Sequence, residues 1–131
     1  AQIEHLAEIQ FKRKEIWKQY YTGLKSLQDN GFVQLPQIPE YSTNNAHMFY
    51  ILCKSPKERT ELIKYLKEQK IMTVFHYLPL HKSEYYKEKH SKRNLPNCDM
   101  YAEQLLRLPL FYELNNSDQS RIIEKIKSFY L

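Results

Sequence analysis

The sequence predicts an α+β domain in which a long N-terminal helix leads into a small mixed or antiparallel sheet of about three strands packed by helices. Three observations predict it. Apolar residues recur at helical spacing from Ile3 to Leu27, three short apolar runs stand near residues 48–53, 71–75 and 105–110, and helix or turn signals separate those runs. With 131 residues the chain has the length of one domain, and at that size it buries roughly two-thirds of its unfolded surface. Residues 1–30 form the entry helix and residues 31–131 the α+β body.

The entry helix rests on Ile3, Leu6, Ile9, Ile16, Tyr20, Leu24 and Leu27, a three-or-four spacing, and Gly31 after Asp29 and Asn30 ends it. Its apolar pattern is already running at Ile3 with no capping residue ahead, as in a chain cut inside a helix. Ile9, Phe11, Ile16, Trp17, Tyr20 and Tyr21 do not fit on one side, so the helix carries more apolar surface than this body needs. Pro36 and Pro39 impose an extended connection.

Residues 48–53 form a nearly continuous apolar run, suited to a strand covered on both faces or at a sheet centre. Ser55, Pro56 and Glu58 supply a cap, a first-turn proline and a capping-box acid for a helix whose stripe is Leu62, Ile63, Tyr65 and Leu66. Ile71, Met72, Val74 and Phe75 begin a second strand that Pro79 stops. The stretch 81–97 reads as a short helix and a mobile, charged loop. A further helix starts near Asn97 or Asp99, buries Met100, Tyr101 and Leu105, and runs into a third apolar strand through Leu106, Leu108 and Leu110. The last helix starts at Ser117 with Ile122, Ile123, Ile126, Phe129 and Tyr130 as its stripe.

The 42% hydrophobic and 14% aromatic content argue against disorder. No apolar stretch approaches membrane-spanning length and no signal-peptide order opens the chain, which points to a cytoplasmic protein without a membrane partner. Cys53 and Cys98 lack any spacing motif and read as buried or semi-buried thiols. The net charge of +5 fits nucleic acid, anionic lipid, a phosphorylated small molecule, or plain solubility, since most lysines sit beside glutamates on helix faces. Only Gly23 and Gly31 are present, so no glycine-rich loop can wrap a phosphate.

The densest polar segment is His76, Tyr77, Pro79 and His81, at a strand end where ligands are commonly held. Its imidazoles and phenol can hydrogen-bond phosphate oxygens or sugar hydroxyls, or stand as solvent-facing groups in a turn. Asn44, Asn45 and His47 precede the first strand and either face a ligand or cap its backbone. Zinc on His76 and His81 lacks an ordered third ligand, Glu84 and His90 lying on an unpatterned stretch, so no metal is expected. Nothing orients Cys98 with His90 for nucleophilic catalysis. The segment from Tyr85 to Arg93 mixes aromatic and basic residues as a nucleic-acid binder does, without the motif of any such module.

Three segments in register, residues 45–51 (NAHMFYI), 75–81 (FHYLPLH) and 103–111 (EQLLRLPLF), resemble the C-terminal region of the sugar aminotransferases of the DegT/DnrJ/EryC1/StrS family. The branch making dTDP-4-amino-4,6-dideoxygalactose is the most similar, and Ala1, Gln2, Ile3, Arg13, Ile16, Trp17, Tyr20 and Tyr21 of the entry helix read like it too. The resemblance implies the C-terminal small domain of a fold-type-I enzyme whose absent large domain carries pyridoxal 5'-phosphate on a lysine. The parent would pass an amino group from L-glutamate to a nucleotide-linked 4-keto-6-deoxy sugar, as a cytoplasmic homodimer serving polysaccharide biosynthesis. Carried onto this sequence, it implies that His76, Tyr77 and His81 lie beside the sugar nucleotide, with His47 and Asn45 as further site residues. It also implies that this chain holds no catalytic residue and no cofactor by itself. Rival expectations are a small basic nucleic-acid-binding module and a non-catalytic oligomerisation domain.

Overall fold

The computed structural model describes residues 2–89 and 94–131. A 3-10 turn over Gln2–His5 leads into α1 (Leu6–Asp29), later than the apolar pattern at Ile3 suggested. The helix buries Ile16, Tyr20, Leu24 and Leu27, the C-terminal part of the predicted stripe, whereas Ile3, Leu6 and Phe11 are exposed. Its end is a Schellman turn: Phe32 N–H donates to Leu27 O and Gly31 N–H to Gln28 O, both at 2.8 Å, with Gly31 at φ +70°.

Three strands follow: β1 (Phe49–Leu52), β2 (Val74–Phe75) and β3 (Leu105–Leu108). They form one sheet in the order β1-β3-β2, with β3 antiparallel to both neighbours. The centre is therefore β3. Of the two places that sequence reading offered the apolar run of β1, covered on both faces or at the sheet centre, the second does not hold, because β1 lies at an edge. Its outer side is closed by a single bridge to Gln34, which exchanges backbone hydrogen bonds with Leu52 at 2.9 and 3.0 Å. The predicted second strand shrinks to two residues, both exposed, because Ile71 is drawn into the core before pairing begins.

The other helices are α2 (Pro56–Glu68), α3 (Pro96–Gln104) and α4 (Asn116–Tyr130). The Ser55 side chain accepts from Glu58 N–H, so α2 opens on the expected cap. Asn115, rather than Ser117, caps α4, accepting from Asp118 N–H at 2.8 Å. No residue of α3 is fully buried; Tyr101 is exposed and Leu105 belongs to β3, a correction to the buried stripe expected there.

Register sorts the sheet into two faces. Phe49 opposite Leu108 and Ile51 opposite Leu106 point to one side, where Ile16, Tyr20 and Leu24 of α1, Leu62 and Leu66 of α2, and Ile122 and Ile126 of α4 complete the core. Phe49 lies between Trp17 and Tyr20, with ring centroids 5.3 and 5.2 Å away. Arg107, paired with Tyr50 on one side and Val74 on the other, points with them to the other face. Gly23 lets α1 and α4 close: a Cβ there would stand 2.7 Å from Cδ1 of Ile123. Among the described residues no helix is long and apolar enough to cross a membrane.

Candidate functional site

The corner before β1 is built from backbone needs. Ala46 is fully buried at φ +49°, a conformation that an L-residue holds only when its surroundings impose it. Two Asx turns impose it, Asn44 Oδ1 accepting from Ala46 N–H at 2.8 Å and Asn45 Oδ1 from His47 N–H at 3.0 Å. Arg13 of α1 completes the clamp, Nε donating to Ala46 O at 3.1 Å and Nη2 to His47 O at 2.5 Å. Asn45 therefore spends its side-chain oxygen on the turn, and the clamp presents the His47 imidazole outward.

His47 lines a groove of about 600 Å³ with Lys70, Arg107 and Arg121 around an apolar floor that includes Leu108 and Ile122, and Asp118 supplies an opposing charge. Lys70 sits there at φ +59°, in the position that Gly31 holds on α1: Ile71 N–H donates to Leu66 O and Lys70 N–H to Lys67 O, both at 2.9 Å. His76, Tyr77 and His81 do not line this groove.

Those three residues leave the end of β2 in different directions. His76 is half-buried, packs edge-on against Tyr77 at 4.7 Å, and has no hydrogen-bond partner on its buried Nδ1 among the described residues. Burial, then the Arg107 guanidinium, then His47 hold its imidazole below the usual value, so the ring is neutral at pH 7. Tyr77 is 77% exposed. His81, in the 3-10 turn Leu80–Lys82, instead turns toward α3, its Nε2 3.1 Å from Asp99 Oδ1. The same carboxylate holds Lys82 at 2.8 Å, which keeps Asp99 below the usual carboxylate range.

The structure thus brings His47, His76 and Arg107 into electrostatic contact and sets His81 apart. Sequence reasoning missed Arg107, although it is the one charge in the apolar run LLRLPL and its register points it to the outer face. It also missed the Arg13 clamp and Asp99. Of the cysteines, Cys53 is buried, and burial pushes its thiol up to about 11. Cys98, expected to be at least half-buried, is exposed. In the aromatic and basic stretch, Lys87 pairs with Glu84 at 2.6 Å and Lys89 lies 3.6 Å from the centroid of Tyr85; His90, Lys92 and Arg93 lie outside the described residues, as does Ala1.

Fold and site together define a small α+β body fed by one long helix, with a histidine-bearing strand end beside an open, cationic sheet face. The sequence matches the DegT/DnrJ/EryC1/StrS aminotransferase family over residues 1–127, and the chain belongs to that family. Among similar solved structures is the aminotransferase TlmJ from Streptoalloteichus hindustanus, 26% identical with a TM-score of 0.85, the match covering 97% of this chain and 33% of that one. Another is DesV from S. venezuelae in complex with a ketimine intermediate, 26% identical with a TM-score of 0.87 and the same coverage of 97% and 33%. NtdA from Bacillus subtilis, with bound cofactor PMP, is 26% identical with a TM-score of 0.81, over 94% of this chain and 28% of its own. The chain spans about a third of the length of these relatives.

Proposed function

We propose that this chain is the C-terminal small domain of a pyridoxal-phosphate-dependent aminotransferase that moves an amino group from L-glutamate to a nucleotide-linked 4-keto-6-deoxy sugar. The observation that carries the reading is the family match over 127 residues. The motifs of residues 45–51, 75–81 and 103–111 favour a dTDP-linked sugar and the branch making dTDP-4-amino-4,6-dideoxygalactose, an activity that would feed surface polysaccharides from the cytoplasm.

In this reading the cofactor is held outside this chain. Such a site needs a free lysine, a carboxylate for the pyridine nitrogen and a cradle of backbone amides for the phosphate. What supports this is that neither glycine stands in a phosphate-binding turn and that Asp99, beside the histidine segment, is engaged by Lys82. Cofactor and catalytic lysine belong, in this reading, to a large domain supplied by the rest of the family length.

What this chain contributes is one wall of the sugar-nucleotide site. His76, neutral and with an Nδ1 that has no hydrogen-bond partner among the described residues, and Tyr77, exposed beside it, hydrogen-bond sugar or phosphate oxygens. The cations of Arg107 and Lys70 and the His47 imidazole offset phosphate charge. Asn45 supports His47, and His81 fixes the loop by holding Asp99. Exposed Ile3 of the first 3-10 turn and Leu6 and Phe11 of α1 give the homodimer or the large domain an apolar surface to cover.

The visible absorption spectrum of the full-length protein tests the reading. A yellow cofactor band that bleaches on adding L-glutamate, and returns on adding a nucleotide-linked 4-keto sugar, is the expected result. A colourless protein that takes up no pyridoxal phosphate overturns it.

A further inference from the structure

Three cations meet in the groove beside the starts of β1 and β2. Lys70 follows the end of α2, Arg107 stands on β3 and Arg121 on α4, so separate elements bring their charges to one hollow of about 600 Å³. Among the described residues none of the three forms an ion pair with a carboxylate. The one acid of the groove, Asp118, is engaged within its own helix cap, where Asn115 Nδ2 donates to it at 2.8 Å. Arg121 is fixed without being neutralised: its Nη2 donates to the carbonyl of Gln69, the residue before Lys70, so an uncharged group holds the guanidinium. Lys70 keeps a left-handed backbone, φ +59°, that glycine adopts at less cost, and the Schellman hydrogen bonds there need no side chain. Like charges gathered over an apolar floor repel one another. The same positive field reaches His76, where burial first, and then Arg107 and His47, keep the imidazole neutral. An anion in the groove removes that repulsion.

We propose that this groove is a diphosphate subsite, which binds the linked phosphates of the nucleotide-linked sugar and prefers a diphosphate to a single phosphate, with Lys70 and Arg121 as its selecting residues. Three cations against one carboxylate leave two positive charges in excess. A diphosphate bridge esterified at both ends carries one negative charge on each phosphorus, so the charges match, and the hollow has room for both phosphates. Arg107 lines the groove and also acts on His76, so a diphosphate held here leaves His76 and Tyr77 to the sugar. The identity of the whole ligand rests on the aminotransferase reading; the preference for a diphosphate rests on the groove alone.

The test is calorimetric titration of the full-length protein, with whatever cofactor it carries, using inorganic pyrophosphate and inorganic phosphate in about 0.1 M salt, where distant surface charges are screened. Pyrophosphate should bind about tenfold more tightly than phosphate. Lys70→Gly and Arg121→Met should each weaken pyrophosphate by about tenfold, the loss of one charge-assisted contact. Lys12→Met, in the separate hollow between α1 and α4, should leave it unchanged. Because Lys70→Gly relieves the left-handed backbone, its loss of binding is not a loss of fold. Absence of pyrophosphate binding overturns the proposal, as do equal affinities for the two anions, a Lys70→Gly protein that binds like the parent, or a Lys12→Met protein weakened as much as the groove variants. The two readings fail separately. A protein whose yellow band bleaches with L-glutamate but which binds no pyrophosphate keeps the aminotransferase reading and loses the subsite, and a colourless protein that binds pyrophosphate through Lys70 and Arg121 does the reverse.

Discussion

Residues 72–80 and the α1–α4 side of the sheet draw on the same stock of aromatic and branched side chains with opposite results. On the α1–α4 side, Tyr20 and Phe49 are sealed completely, and even the Tyr20 hydroxyl is satisfied by Pro109 O at 2.9 Å. Along the strip, Met72 at 82%, Tyr77 at 77% and Leu78 at 78% stay in solvent. The difference lies in what stands opposite. Phe49 and Ile51 face three helices that share their apolar stripes, whereas β2 is a two-residue edge strand whose outer edge pairs with no further strand among the described residues. Apolar content alone does not tell a core from a surface. An exposed apolar strip beside a polar corner is how a surface meant to be covered looks.

The sharpest way to break this comparison is by truncation on each side. Phe49→Ala removes a ring packed between Trp17 and Tyr20 and should lower stability by about 3–5 kcal/mol in urea unfolding. Met72→Ala, at a side chain with little to lose, should change it by less than about 0.5 kcal/mol. Equal losses would mean that the strip is packed after all.

Next in size is the clamp joining the two regions. Arg13→Met keeps most of the stem but withdraws two donors from the carbonyls of Ala46 and His47. The expected loss is about 1–2 kcal/mol, with faster amide exchange at residues 46–47 as the local sign. Unchanged exchange there would show that the Asx turns hold the corner without α1.

The two Schellman turns offer a smaller, paired test. Gly31 and Lys70 occupy the same left-handed position at the ends of α1 and α2, but only one is a glycine. Lys70→Gly should therefore raise stability by about 0.5–1 kcal/mol and Gly31→Ala lower it by about 1 kcal/mol. Thermal unfolding of both variants measures the contrast, and opposite signs are the point of the prediction.

The parts of this fold that were legible in the sequence are those fixed by local chemistry. Ser55, Pro56 and Glu58 announced α2, Gly31 announced the end of α1, and helical spacing located Ile16 to Leu27 and Ile122 to Ile126. What periodicity could not tell was which strand stands in the middle. A continuous apolar run suits any strand covered on both sides, and β1 gains its outer cover from Gln34, a polar residue that gives no sequence signal. Similarly, the spacing of residues 76–81 marked a candidate site but not the directions of its side chains. His81 turns away because Asp99, eighteen positions on, waits at the start of a helix whose burial was misjudged. Arg107 was legible in principle, a lone cation in an apolar strand; its meaning depends on register with Val74, which only pairing supplies.

The smallest effect tests whether His76 belongs to the sealed region or the open one. Its imidazole is held below its ordinary value of 6.5, chiefly by burial, with Arg107 and His47 adding repulsion. A group whose folded-state value is lowered is neutral in both states well above pH 6.5 and contributes no pH dependence there. As the pH falls through 6.5 the unfolded chain takes up a proton first, so the folded state loses stability until the folded ring is protonated as well. Urea midpoints should therefore decline from pH 7 toward pH 5.5, and His76→Gln should flatten that decline without moving the midpoint at pH 7.5. The Asp99 carboxylate does not confuse the window, because its lowered value places its loss of stability below about pH 4. A decline that survives His76→Gln would place the ring fully in solvent, among the open residues of the strip, and would take away the charge contact with Arg107 on which its proposed role beside a phosphorylated sugar rests.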